Sequence, residues 1–297
     1  MTGIIGTIAT WGMASPLIKL ASVGGPALSF HRLWIGAVAL LAISHGAGQR
    51  MERRVLRWAV PAGMIFGVNM VLFVVAVKTT TVANATLIGA LQPAITLLVA
   101  GRWFGERVTP RAVASVTVAI VGVAIVIVGS AGKPEWNPVG DALAVGSVVS
   151  FTIYFLISKR ARATIGTLEY MTGVHTVAAL VVMPLALLAP SELWRLSWGD
   201  AGVILFIAFV SGTGGQVVIG WAQRFVDVSL SSLMLLGVPV VAALAAWVLL
   251  GESLGPVQAI GGAITIAAIG AMVWRPSGTL PAVRVGDLVS GPTTGDG

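Results

Sequence analysis

Cysteine is absent from this 297-residue chain, and charge is scarce: Asp, Glu, Lys and Arg together make up 10%. Without cysteine there is no disulfide, no thiolate metal site and no cysteine nucleophile. Soluble domains carry about 25% charged residues, so a chain this poor in charge is not an ordinary water-dispersed globule. Acidic side chains are the scarcer sign, 11 against 18 basic, and none falls in the middle of an apolar run. That argues against a sodium or proton cycle resting on a buried carboxylate. What is present is apolar: 57% hydrophobic residues with 37 glycines and 10 tryptophans, at a mean hydropathy of +0.95. This is the composition of packed membrane helices with aromatic anchors at the interfaces. A net charge of +7 would suit nucleic acid, yet the basic residues sit in short turns between apolar runs, so no nucleic-acid partner is expected.

A helix needs about 20 residues to cross the hydrocarbon core. Uncharged runs of that order occur at 1–18, 33–49, 58–77, 79–101, 112–132, 142–158, 170–191, 201–223, 228–251 and 253–274. The second run extends back to about Pro26, which places His31 and Arg32 inside a span. Ten spans follow, joined by short polar turns. Residues 276–297, rich in Ser, Gly, Thr and Pro, read as a disordered cytoplasmic tail. Orientation follows from lysine and arginine, which cytoplasmic loops retain. Thirteen of them fall on the N-terminal side, against four (Lys19, Lys78, Lys133 and Arg195) on the other. Both termini are therefore expected in the cytoplasm, with the protein in the plasma (inner) membrane.

One segment occurs twice. Pro93, Gly105, Glu106 and Pro110 return as Pro239, Gly251, Glu252 and Pro256, each 146 residues later. Lys78 and Arg224 match at the same offset. Duplication within so apolar a chain points to a carrier built from two homologous halves. With an odd number of spans per half, five, the halves must be inverted relative to each other. The arrangement, together with Trp11-Gly12 and Lys19 in the first span and Arg32 in the second, resembles the EamA type of the drug/metabolite transporter superfamily over residues 1–275. The resemblance implies a bundle of two inverted five-helix repeats, 1–132 and 138–275, that moves small metabolites or drugs. Efflux or exchange by alternating access, in a monomer or homodimer, is what such a resemblance implies. Ser253 stands where the first copy has a basic residue after its Gly-Glu pair.

In an inverted-repeat carrier the substrate lies near the midplane between the halves, so intramembrane polar residues are the candidates. Lys19, Arg32 and Lys78 gather at one mouth, where they would attract a carboxylate or phosphate; snorkelling to headgroups is the competing role. Trp11, Ser15 and Lys19 share one helix face at i, i+4 spacing, as do Asn69 and Phe73. Phe151, Tyr154 and Phe155 stand at the corresponding place in the second half. Gln92, Gln216 and Trp221 add hydrogen-bonding edges. For each of these residues singly, helix packing competes with substrate contact. His175, close to the midplane of the seventh span, is a proton-coupling and binding candidate, and Glu169 at that span's entrance is a second proton-coupling candidate. Pro93 and Pro239 remove a backbone hydrogen bond inside their spans and are hinge candidates. Ala259, Ala263, Ala267 and Ala271 form a small-residue stripe that permits close helix approach, within the bundle as the first expectation or between two protomers as the alternative.

Two rival classes fit worse. An intramembrane enzyme would need a reactive constellation, and the chain has no His-Glu-x-x-His metal site. Ser211 with His175 is the nearest approach to a nucleophilic dyad. A non-transporting scaffold would have no use for duplication with inversion. No cofactor or metal is expected, and no phosphate-binding loop is present to couple ATP.

Overall fold

The computed structural model describes residues 2–49, 52–80, 82–105, 108–129, 137–188, 193–194, 196–250 and 255–273. Among them every regular element is helical. The helices are α1 (Thr2–Leu20), α2 (Gly25–Gly46), α3 (Arg53–Thr79), α4 in two halves (Val82–Gly89 and Gln92–Phe104), and α5 (Pro110–Val128). The second set is α6 (Pro138–Arg162), α7 (Thr167–Leu187), α8 (Trp198–Ala222), α9 in two halves (Val228–Met234 and Gly237–Leu250), and α10 (Pro256–Val273). Nine of these are long and apolar enough to cross a bilayer, by length and composition. The remaining helix, α1, has 19 residues and is diluted by Thr, Trp, Ser, Pro and Lys. The protein is thus an all-α, multi-pass integral membrane protein. The expected tail at 276–297, Glu106, and the Gly251–Glu252 turn lie outside the described residues.

Local chemistry sets the helix ends. Thr109, Asn137 and Ser197 each accept a hydrogen bond from a backbone N–H in the first turn of α5, α6 and α8, at 3.0–3.1 Å. Proline takes the first helical position of α5 and α6, where its missing N–H costs nothing. Gly105 closes the second half of α4 at φ 67°, a left-handed conformation that glycine adopts without a Cβ clash.

Packing follows a two-fold exchange that maps each helix onto the one five later. The pairs α2–α7, α4–α9 and α5–α10 map onto themselves; α3–α6 maps onto α8–α1, α3–α7 onto α8–α2, and α4–α6 onto α9–α1. Every one of these pairs is in contact. Two inverted five-helix repeats therefore interleave rather than sit side by side. One core binds α2, α3, α6 and α7 around Phe66, Tyr154, Tyr170 and Met171. Another binds α4, α5, α9 and α10 around Leu97, Val123, Leu233 and Ala268.

The close approach of α5 to α10 uses a different face from the alanine stripe. Ala259, Ala263, Ala267 and Ala271 are exposed, while Gly261, Gly262, Thr265 and Ala268 are buried. A Cβ added at Gly261 would lie 2.6 Å from the Val126 nitrogen. Backbones this close require glycine, whereas alanine spacing alone does not say which side of a helix faces its neighbour.

Beyond interior prolines, α4, α9 and α8 depart from regular α geometry, and the departures in α4 and α9 are equivalent. In α4 the regular ladder is interrupted at Ala90–Leu91, and in α9 at Leu235–Leu236. Leu91 N–H reaches only the Ile88 carbonyl and Leu235 N–H the Ser232 carbonyl, three residues back. The third departure is a π-helical stretch, Ile207–Gly214, inside α8. Its start falls 146 residues after Pro61, which interrupts the amide ladder of α3.

Candidate functional site

Between the repeats lies a cavity of about 190 Å³, lined by residues from α1, α2, α3, α4, α6, α8 and α9. Its walls include both helix interruptions: Gly89, Ala90, Gln92 and Pro93 from one repeat, Leu235, Leu236, Val238 and Pro239 from the other. Irregular backbone at membrane depth is tolerated where it faces a cavity rather than lipid. The expected bends at Pro93 and Pro239 thus take the form of breaks, with each proline in the first turn of the helix that resumes.

Of the residues singled out from sequence, Trp11, Ser15, Arg32, Asn69, Phe73, Gln92, Phe151 and Gln216 line this cavity. Trp11 and Phe151 meet edge to face with ring centroids 5.9 Å apart, one from each repeat. The Trp11 indole Nε1 donates to the Ser211 carbonyl at 2.8 Å, which joins α1 to the π-helical stretch of α8. Asn69 Nδ2 donates to the Ser147 carbonyl and hydroxyl at 2.8 and 3.0 Å, joining α3 to α6. Gln92 Nε2 donates to Thr96 Oγ1 one turn on.

Among the described residues Arg32 is the one charged side chain lining the cavity. It is 6% exposed, and among the described residues no hydrogen bond or ion pair satisfies its guanidinium. Gly212 makes room for it, since a Cβ there would lie 3.1 Å from Arg32 Nε. A cation buried without a counter-charge is costly, and a substrate anion would relieve that cost.

The remaining candidates lie elsewhere. Tyr154 stands one layer behind the wall, its hydroxyl donating to Gln216 Oε1 at 3.2 Å and its ring stacked on Phe66. Phe155 packs in the core beneath the cavity with Ile4, Leu156 and Ile219. His175 is buried against Phe66, its Nδ1 paired with the Met171 carbonyl at 3.0 Å. Lys19 reaches the carbonyls of Val77 and Thr80 at 3.0 and 3.2 Å. Trp221 is 52% exposed and packs on Phe225 at the outer surface of the bundle. Glu169 sits in the first turn of α7. Ser211 and His175 form no dyad, because the Ser211 hydroxyl has no hydrogen-bond partner among the described residues. Nor, among the described residues, do three His, Asp or Glu side chains converge as a metal would require.

Two polar lining residues escaped the sequence reading as binding groups, Ser147 and Ser211. Ser147 carried a usable signal, standing four residues before Phe151 on one helix face. Ser211 carried none, because π geometry rotates it away from the ordinary periodicity. The lining residues of α1, α3 and α6 all fall between mid-helix and the Lys19 end of the bundle. At the opposite end Ile4, Phe155, Leu156, Ile219 and Val228 close together.

Known proteins agree with this architecture. A solved crystal structure superposes with a TM-score of 0.77 over 91% of this chain and 95% of its own, at 20% identity, a likeness of fold alone. A probable terminal-alkyne amino-acid exporter of Streptantibioticus cattleyicolor is 27% identical over 267 residues, 89% of each chain. The threonine/homoserine exporter RhtA of Escherichia coli (strain K12) is 26% identical over 250 residues, 84% of this chain and 82% of that protein. Residues 1–128 and 138–274 each match the EamA-like transporter family, so the chain is a membrane transporter and belongs to that family.

Proposed function

We propose that this transporter exports a small, carboxylate-bearing metabolite of amino-acid type across the cell membrane, with Arg32 receiving the carboxylate. The observation that carries the reading is the unpaired Arg32 guanidinium in a cavity between the two repeats. An ionised carboxylate accepts both hydrogen bonds that a guanidinium edge offers. With no acidic side chain among the described lining residues, an ammonium group is met by neutral acceptors, Asn69 and Gln92 among them. Trp11 and Phe151 supply apolar walls, and the cavity's modest size favours a compact solute. The amino-acid exporters among the relatives point the same way. Transport then proceeds by alternating access: the breaks in α4 and α9 flex while the repeats rock around the cavity.

The excess of arginine and lysine at the Lys159 end supports cytoplasmic termini, with the Lys19 end outside. Because the chain has no cysteine, single-cysteine variants report sidedness cleanly. Ala47→Cys is expected to react from the cytoplasm and Gly199→Cys from outside; the reverse pattern overturns the orientation.

The functional test is counterflow of threonine, homoserine and other small amino acids in proteoliposomes. Loss of a charge-assisted contact of about 2–4 kcal/mol lowers kcat/KM for Arg32→Gln by about 30-fold or more. Arg32→Lys retains part of it. Undiminished uptake by Arg32→Gln, or equal transport of the decarboxylated amine, would exclude the proposed carboxylate contact.

A further inference from the structure

A second basic site lies at the other end of the bundle, remote from the cavity lining. Arg162, the last residue of α6, is 2% exposed. Its Nη2 donates to Gln223 Oε1, and its guanidinium lies 5.5 Å from the centroid of the Tyr170 ring. Tyr154 also faces the guanidinium, yet among the described residues Nε and Nη1 have no partner within hydrogen-bond geometry. Glu169, the acid nearest in sequence, forms no ion pair with it among the described residues. Beside Arg162 opens a cavity of about 140 Å³, lined also by Lys159, Ala163, Gln223 and Arg224, so among the described residues three cations and no carboxylate face it.

The inverted repeat supplies a control. At the opposite end of the bundle, Lys78 donates to the Ala21 carbonyl at 2.7 Å, and Ser22 donates through its N–H and hydroxyl to Asp200. Arg224 is the counterpart of Lys78, and Arg162 of Ser22: each stands three residues after its capping lysine, Lys159 or Lys19. The counterpart of Asp200, 146 residues earlier, is Arg54. The equivalent space is therefore closed by a carboxylate at one end of the molecule and left open, among cations, at the other. A buried guanidinium with two unused donors beside an open cationic cavity calls for an oxyanion.

We propose that this pocket binds a phosphate group, drawn from an anionic phospholipid headgroup or from a free phosphoanion. The site sits where α6 turns into α7 and α8 ends, at the level expected of headgroups, and basic pockets between transmembrane helices suit such groups. A phosphate there bridges the α6 and α8 ends and so favours closure of that mouth.

The test uses the full-length protein, delipidated and examined by native mass spectrometry in neutral detergent. Titration with phosphatidylglycerol should give one retained lipid, at least tenfold preferred over phosphatidylcholine. Arg162→Gln should abolish that preference. Arg224→Gln, an exposed change that spares folding, should weaken it about tenfold, and Arg32→Gln should leave it intact. Displacement of the lipid by millimolar inorganic phosphate, with thermal stabilisation by phosphate alone, identifies a free anion as the source; no effect of phosphate identifies the headgroup. Equal retention of the two lipids by the wild type together with no response to phosphate overturns the proposal, as does an unchanged preference in Arg224→Gln.

Discussion

Lys19 and Lys159 do the same job at opposite ends of the molecule. Lys19 donates to the carbonyls of Val77 and Thr80 at the end of α3; Lys159 donates to those of Gln223 and Val226, 146 residues further on, at the end of α8. Each ammonium satisfies orphan carbonyls and faces the negative end of a helix dipole. The match between the repeats thus extends to an interaction between helices. Trp11 and Phe151 share the offset of the two lysines, 140 residues, and meet across the cavity.

Replacing either lysine by glutamine should destabilise the protein, by about 1 kcal/mol for exposed Lys19 and about 2 kcal/mol for half-buried Lys159. Thermal unfolding in detergent measures the loss. The KM of Lys19→Gln is expected to stay within about twofold of wild type, since the ammonium is engaged outside the cavity lining.

Trp11→Phe keeps an aromatic ring against Phe151 and removes the donor to the Ser211 carbonyl. A buried carbonyl left unpaired costs about 1–2 kcal/mol. Faster amide exchange through 207–214 should accompany it, since the indole ties that π-helical stretch to α1. Trp11→Ala loses the wall as well and should lower transport much further.

Alanine at Pro93 or Pro239 restores an N–H able to donate four residues back, to Gly89 or Leu235. The interruption can then anneal toward continuous helix. Transport by the double variant should fall several-fold while its melting temperature holds or rises. Equal transport rates in the variant and wild type would show that the breaks do not serve as hinges.

Gly261→Ala forces a Cβ to within 2.7 Å of the Gly122 carbonyl as well as into the Val126 amide. Overpacking of this kind costs about 1–3 kcal/mol, seen as a lower melting temperature and poor yield. Ala263→Leu, on the exposed face of the same helix, should be nearly neutral. The pair separates the buried glycine face from the alanine stripe that spacing alone singled out.

Membrane insertion and the span count are properties of residues near one another in the chain, and the duplication shows as a repeat of identical residue types at one fixed offset. Hydropathy over about 20 residues and basic residues in short turns act at that range, so the linear text carries them in full. The cavity is different in kind. Arg32, Asn69, Phe151, Gln216 and the two helix breaks converge only because helices distant in the chain pack against each other. Spacing placed Lys19 on the same face as Trp11, yet whether its long side chain turns toward solute or toward helix carbonyls depends on where α3 ends. Likewise the buried face of α10 was decided by Gly122 opposite it, and the basic pocket at Arg162 by Arg54 standing where the other repeat has Asp200. Solvent preference is written along the chain; which side chains meet, and which charges are left without company, is settled only once the two repeats interlock.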